Sequence, residues 1–174
     1  LVENGASDMM VSDLLNDYGT MVTNQFGEYV DNTSVMESWE RTNNDDGTAT
    51  YTIKIKEGLV ISDGSAINAK NYVAATLANS TEVAAAAGGT GMSGQVLVGF
   101  EEFKAYTGEG ETVYFTGIQL LDEYTIALTI AADYADYYYN TVYAAVSPVP
   151  MALYLGENDI VVNENGECGL SDGF

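Results

Sequence analysis

Histidine is missing altogether from these 174 residues, and there is a single cysteine, Cys168. Without an imidazole the chain cannot build a Ser-His-Asp or Cys-His catalytic centre or hold zinc through histidine, and one thiol closes no internal disulfide. Basic residues are nearly as scarce: 5 lysines and arginines stand against 26 aspartates and glutamates, a formal net charge of −21. A surface of that sign repels phosphate backbones and anionic lipid headgroups, so nucleic acid and membrane surfaces are disfavoured as partners, while peptides and sugars are left open. No apolar run approaches the ~18 residues of a membrane span. The first residues carry no basic stretch leading into an apolar one and no lipid-accepting cysteine, so nothing in them directs secretion.

What is present is core-forming material. Apolar residues make up 47% of the chain and 13 residues are tyrosine, which argues against disorder despite the charge. The length corresponds to one domain, able to bury about two thirds of its unfolded surface. Paired acids such as Asp45-Asp46, Glu101-Glu102 and Asp133 with Asp136 read as solvated surface, because no spacing among them implies the partly buried pair of a glycosidase. Lys54, Lys56, Lys70 and Lys104 are isolated, and nothing marks one as a buried nucleophile.

The clearest local pattern runs from Tyr51 to Val73. Tyr51, Ile53 and Ile55 alternate with Thr52, Lys54 and Lys56, the period of a half-buried strand. Gly58 and the Asp63-Gly64 pair supply turns. From Ala69 the period changes, with Ala69, Tyr72, Val73, Thr76 and Leu77 on one helical face and Asn68 placed as the N-cap.

These residues also carry a resemblance. Tyr51, Ile53, Lys56, Gly58, Ile61, Asp63-Gly64, Ala69 and Val73, preceded by Trp39 and Asp46-Gly47, resemble the signature of the family 5 extracellular solute-binding proteins, the oligopeptide- and dipeptide-binding receptors of ABC importers. Val35 to Glu40 stands where that family has Leu-Ala-x-Ser-Trp-Glu. Gly117, Ile118, Asp122, Tyr124 and Thr125 match a second family segment. The chain departs from the pattern at Ile61 for an aromatic, Ala66 for proline, Asn68 for a threonine cap and Asn71 for aspartate.

Elsewhere, Val11, Leu14, Leu15, Tyr18 and Val22 share a helical face, predicting a helix from Asp8 to about Gln25. Trp39 reads as a core anchor rather than a ligand contact. Asn43 to Gly47 is a surface turn; it is no calcium loop, since Ile53 falls where the twelfth-position carboxylate belongs. Gly89-Thr90-Gly91-Met92-Ser93-Gly94 fits G-x-G-x-x-G by letter, but no strand pattern precedes it and no acidic residue follows a second strand, so a flexible loop is preferred to a nucleotide cradle. A helix is expected from near Gln95, with Val96, Phe100, Phe103 and Tyr106 inward. Val113 to Leu121 and Tyr124 to Ile130 form a hairpin about Asp122-Glu123. Tyr134, Tyr138, Thr141 and Val142 are helically spaced, predicting a tyrosine-rich helix from about Ala132 that packs on the sheet, the alternative being an aromatic platform for a ligand. Pro148 and Pro150 end it. In the acidic stretch beyond, Ile160 to Val162 is read as an edge strand and Cys168 is expected to be exposed.

The expectation is an α+β fold, an antiparallel sheet with helices mainly on one face. The resemblance implies the small subdomain of a two-lobed solute-binding protein over residues 1–155, with 156–174 returning toward the larger lobe. Family chains are about three times this long and this one opens at Leu1 without methionine, which suggests a segment excised from a larger secreted protein. By resemblance, Trp39, Tyr51, Gly58, Asp63, Gly64, Ala69, Gly117 and Tyr124 are structural signature positions. The implied role is capture of peptides or similar small solutes outside the membrane, as an extracellular, periplasmic or lipid-anchored receptor, for delivery to an ABC permease; an anchor would lie outside these residues. No catalytic residue, metal or cofactor is expected. The ligand-contact candidates are Thr90, Met92 and Ser93. The competing reading is a carbohydrate-binding module of a secreted enzyme that uses the tyrosines as a stacking platform.

Overall fold

The computed structural model describes residues 18–89, 91–107, 109–137, 140–157 and 159–174, together with residues 7, 10 and 11. Its centre is a six-stranded antiparallel sheet of β3 (Met36–Asn43), β4 (Ala49–Ile55), β5 (Tyr114–Leu120), β6 (Thr125–Ile130), β7 (Ile160–Val162) and β8 (Glu167–Leu170), in the order β3-β4-β6-β5-β8-β7. A separate ribbon pairs β1 (Met21–Thr23) with β2 (Tyr29–Asp31). Besides the helical residues 7, 10 and 11, the helices among the described residues are α1 (Ala69–Asn79), α2 (Glu82–Ala86), α3 (Phe100–Lys104), α4 (Ala132–Ala135), a 3-10 turn Asn140–Ala144, and α5 (Met151–Leu155).

The predicted alternation holds on β4. Tyr51, Ile53 and Ile55 are buried while Thr52 and Lys54 are not. Ile126, Leu128 and Ile130 of β6 continue the apolar face, and α1 lays Tyr72, Val73 and Leu77 against it from across β5 and β8. Each such fully buried side chain contributes about 1.5–3 kcal/mol. On β5 both Phe115 and Ile118 reach the core although three residues apart, because the register with β8 shifts between Phe115 and Gln119.

Asn68 caps α1 as expected, its Oδ1 accepting from the Lys70 amide at 3.0 Å while the Asn68 amide donates to Asn71 Oδ1 at 3.0 Å. Asn71 is itself buried and donates from Nδ2 to the Val149 carbonyl at 3.0 Å. An amide can accept and donate in this way; a carboxylate could only accept. The departure at Asn71 thus has a local reason.

One turn recurs four times. In Asn24–Glu28, Asn44–Thr48, Ile61–Ser65 and Asn163–Glu167 the first and last residues pair, and a glycine at the fourth position donates back to the first carbonyl at 2.9 to 3.1 Å. Those glycines, Gly27, Gly47, Gly64 and Gly166, all have positive φ, which a residue with a Cβ adopts only with strain. Asp46, Asp63 and Asp122 brace turns as well. The Thr48 amide and hydroxyl hold the Asp46 carboxyl below its usual range, the Ser65 hydroxyl and amide do so for Asp63, and the Tyr124 amide and Thr125 hydroxyl for Asp122.

Several expectations are corrected. The helix predicted for Asp8 to Gln25 is not continuous: Ser7, Met10 and Val11 are helical and 12–17 lie outside the described residues, but Met21–Thr23 is a strand paired with Tyr29–Asp31. Val22 owes its position to Val30, a cross-strand partner that helical spacing cannot reveal. The helix expected from Gln95 starts at Phe100, because Val96 and Val98 bond to Ala131 and Thr129 at the end of β6. Phe100, Phe103 and Tyr106 are buried as expected. The helix from Ala132 stops at Ala135; Tyr138 and Tyr139 lie outside the described residues. A continuous helix would put Tyr143 about 13 Å along the axis from Tyr134 and on the opposite face, whereas their rings are 6.0 Å apart.

Residues 160–170 rejoin the same sheet through β7 at its edge and β8 inside it. Cys168 is therefore buried, not exposed, beside Phe115 on one strand and Val162 on the other. Burial pushes its thiol up from 9.0 to about 12. The glycine-rich loop is packed rather than loose. A Cβ on Gly94 would stand 2.6 Å from the Phe115 ring, and one on Gly91 would stand 2.9 Å from Ala85 Cβ.

Two outcomes follow from this packing. Gly94→Ala should lower unfolding stability by about 1–3 kcal/mol, read as a lower urea midpoint at unchanged slope; an unchanged midpoint would mean that the loop does not seat on Phe115. For Cys168 the folded state keeps its proton more tightly than the unfolded chain, so the linked stability is complete below pH 9.0 and is lost as pH rises toward about 12. Tyr106 and Tyr124 are also raised, so the check is the difference between wild type and Cys168→Ala, whose stability should fall less steeply across that range.

Candidate functional site

The β1–β2 ribbon is fastened at its base, and β2 is tied to the sheet at Asp31. Buried Thr20 donates its amide to the Val146 carbonyl at 2.9 Å, and its hydroxyl accepts from the Val146 amide at 3.0 Å. Asn32, also buried, donates to the Gly19 carbonyl at 2.9 Å, and Tyr72 of α1 donates its hydroxyl to the Tyr18 carbonyl at 2.8 Å. These bonds turn the ribbon toward the 3-10 segment. Beyond them Phe26, Tyr29, the Val22/Val30 pair and the edge of Trp39 face solvent.

Between ribbon and 3-10 segment runs an open groove of about 690 Å³, lined by Met21, residues 27–31 and Thr141–Tyr143. Glu28, Tyr29, Asp31 and Tyr143 are among its lining residues. Asn24 Nδ2 donates to Glu28 Oε2 at 2.9 Å, and Trp39 Nε1 donates to Asp31 Oδ2 at 2.7 Å. No lysine or arginine lines it. All five basic side chains are engaged elsewhere: Arg41 with the Ala135 carbonyl and the Tyr51 ring, Lys54 with Glu37, Lys56 with the Thr33 carbonyl, Lys70 with Asp159, and Lys104 near the Phe100 ring and the Met92 sulfur.

Trp39 is not the buried anchor expected of it. It lies on the outermost strand of the sheet, 38% exposed, and stacks on buried Tyr51 with ring centroids 5.8 Å apart. Half lid and half surface, it joins the core to Asp31 at the groove. Of the other signature positions, Gly58 and Gly64 take positive φ, Asp63 accepts from Ser65, and Ala69 is the first, buried residue of α1. A Cβ on Gly117 would stand 2.5 Å from the Val98 carbonyl oxygen, and Tyr124 sits in the Asp122 turn. None of these lines the groove.

Of the ligand-contact candidates, Thr90 lies outside the described residues. Met92 and Ser93 are exposed, Met92 with its sulfur 4.0 Å from Lys104 Nζ, and neither lines the groove. Among the described candidates, Met92 and Ser93 are not brought together with the residues that line the groove. Nor do the described tyrosines form a flat row: Tyr134 meets Tyr137 and Tyr143 edge to face, at 83° and 84°. Glu28, Tyr29, Asp31 and Tyr143 are what sequence reasoning missed. The readable signal was Asn24-x-x-Gly27-Glu28 between two short β-rich pairs, a hairpin pattern overridden by the apparent helical spacing of Val11 to Val22.

No sequence-family model matches the chain, and no curated protein matches it in sequence. Solved structures do. Listeria monocytogenes OppA bound to peptide superposes over 89% of this chain and 29% of its own, with a TM-score of 0.64 and 20% identity. Haemophilus influenzae OppA in complex with the peptide RPPGFSPFR covers 88% of this chain and 29% of its own, with a TM-score of 0.60 and 18% identity. The oligopeptide-binding protein AppA of Bacillus subtilis, in complex with a nonapeptide, gives a TM-score of 0.55 at 14% identity over 90% of this chain and 26% of its own. The chain thus spans less than a third of the length of these proteins, and it has the α+β fold of one portion of the oligopeptide-binding proteins.

Proposed function

We propose that this chain is part of the substrate-binding component of an ABC importer, a family 5 solute-binding protein that captures peptides outside the cell membrane and hands them to a permease. The observation that carries the reading is the superposition of nine tenths of the chain on peptide-bound OppA. The signature residues occupy the turns and strand positions that build the shared fold, which supports a common framework. The role needs no bond-making chemistry, in keeping with a chain without histidine. Most ligand contacts in such a receptor would come from a second lobe, and attachment to the membrane by lipid would belong to a part outside these residues. The rival saccharide platform has little behind it, since the described tyrosines meet edge to face and so present no coplanar row of ring faces to a sugar.

The test is thermal melting of this chain and of the longest natural chain that contains it, each with pools of di- to hexapeptides and of oligosaccharides. A ligand bound only by the native state raises the melting temperature by mass action. A peptide-dependent rise of several degrees in the longer chain is expected. A rise with saccharides alone would overturn the proposal.

A further inference from the structure

We infer that Asn165 is a site of spontaneous deamidation through its glycine neighbour, and that the native turn keeps this site closed until β7 and β8 part. Asn165-Gly166 is the one asparagine–glycine pair among the described residues. Glycine has no Cβ to shield its amide nitrogen, so in such a pair that nitrogen most readily reaches the side chain before it. The pair lies in the last of the four recurring turns, between β7 and β8. Its chemistry is independent of any ligand that the chain captures.

The step needs only water and a base. Solvent base takes the proton of the Gly166 amide, and the nitrogen attacks Asn165 Cγ. A bond forms between them, the bond from Cγ to the side-chain nitrogen breaks, and that nitrogen leaves as ammonia with a proton from solvent, which closes a succinimide ring. Water then opens the ring. Addition at Cγ gives aspartate, and addition at the main-chain carbonyl gives isoaspartate, whose backbone runs through Cγ.

The folded turn opposes this at each point. The Gly166 amide is donated to the Asn163 carbonyl at 3.0 Å. Asn165 is not among the residues of positive φ, which with that bond makes the turn type I and sets the Asn165 ψ at about 0°. To meet Cγ, the Gly166 nitrogen must swing round the Asn165 Cα–C bond away from that value. The peptide groups that would move with it are held: the Asn165 carbonyl accepts from Gln119 Nε2 at 3.1 Å and the Gly166 carbonyl from the Leu120 amide at 2.8 Å. Asn163 braces the turn from within, its Oδ1 accepting from the Asn165 and Glu167 amides, each at 3.0 Å, and its Nδ2 donating to Glu167 Oε2 at 2.6 Å. The reaction therefore waits for the turn to open.

The experiment incubates the chain in one mildly alkaline buffer with and without unfolding urea, following each asparagine by peptide mass mapping and isoaspartate by enzymatic methylation. In urea, Asn165 is expected to convert ahead of every other described asparagine. Without urea its conversion should be at least about tenfold slower, since it draws only on the open fraction of the turn. Asn163→Ala, which removes the inner braces, should raise the native rate and leave the rate in urea unchanged. If melting shows that this variant does not fold, Gln119→Ala, which frees only the Asn165 carbonyl, takes its place with the same expectation. Equal rates with and without urea would overturn the inference, because the turn would then shield nothing. Another described asparagine converting first in urea would remove Asn165 as the preferred site, and a native rate unmoved in the folded variant would put the protection outside this turn; either result overturns it too.

Discussion

The apolar stripe of β4 is the contact on which the rest of the molecule depends. Tyr51, Ile53 and Ile55 lie between β3 and β6, so one strand joins the sheet's edge to its centre. Tyr51 alone receives the Trp39 ring and the Arg41 guanidinium, and Arg41 reaches on to the Ala135 carbonyl. Through those two side chains the core reaches α4 on one side and Asp31 of the ribbon on the other. Removing the ring of Tyr51 would leave a cavity under Trp39 and an arginine without its aromatic support, so the effect would spread past the core to the ribbon.

The parts that were legible in the sequence are those whose cause is local. The alternation from Tyr51 to Ile55, the cap at Asn68 and the hairpin about Asp122 each depend on neighbours within a few residues, and each is where the pattern put it. So is the Ile160 to Val162 edge strand. What failed depended on distant partners. Met21–Thr23 is a strand because Tyr29–Asp31 pairs with it and because Thr20 is held by Val146. Cys168 is buried because β8 inserts between β5 and β7, a topological fact with no local signature. Trp39 is exposed because its strand is the last of the sheet, and strand order cannot be read from one strand's alternation.

The groove was invisible for the same reason. Its walls come from residues 27–31 and 141–143, which meet only once the ribbon is tied to Val146. The glycine-rich loop drew attention by its letters, yet Gly91 and Gly94 are small because Ala85 and Phe115 press on them. At those two positions the letters of the motif answer to packing contacts.

Physically, the molecule is a rigid sheet with a lightly held ribbon whose freedom begins just past its base. Native-state hydrogen exchange tests that division most directly, because amides report the free energy of the opening that exposes them. The account predicts that the amides of Ile53, Leu128 and Val73 exchange only through global unfolding, and that those of Val22 and Val30 exchange through much smaller openings, with Thr20 and Asn32 between. Val22 and Val30 protected as strongly as Ile53 would contradict it, since the ribbon would then be a fixed part of the core.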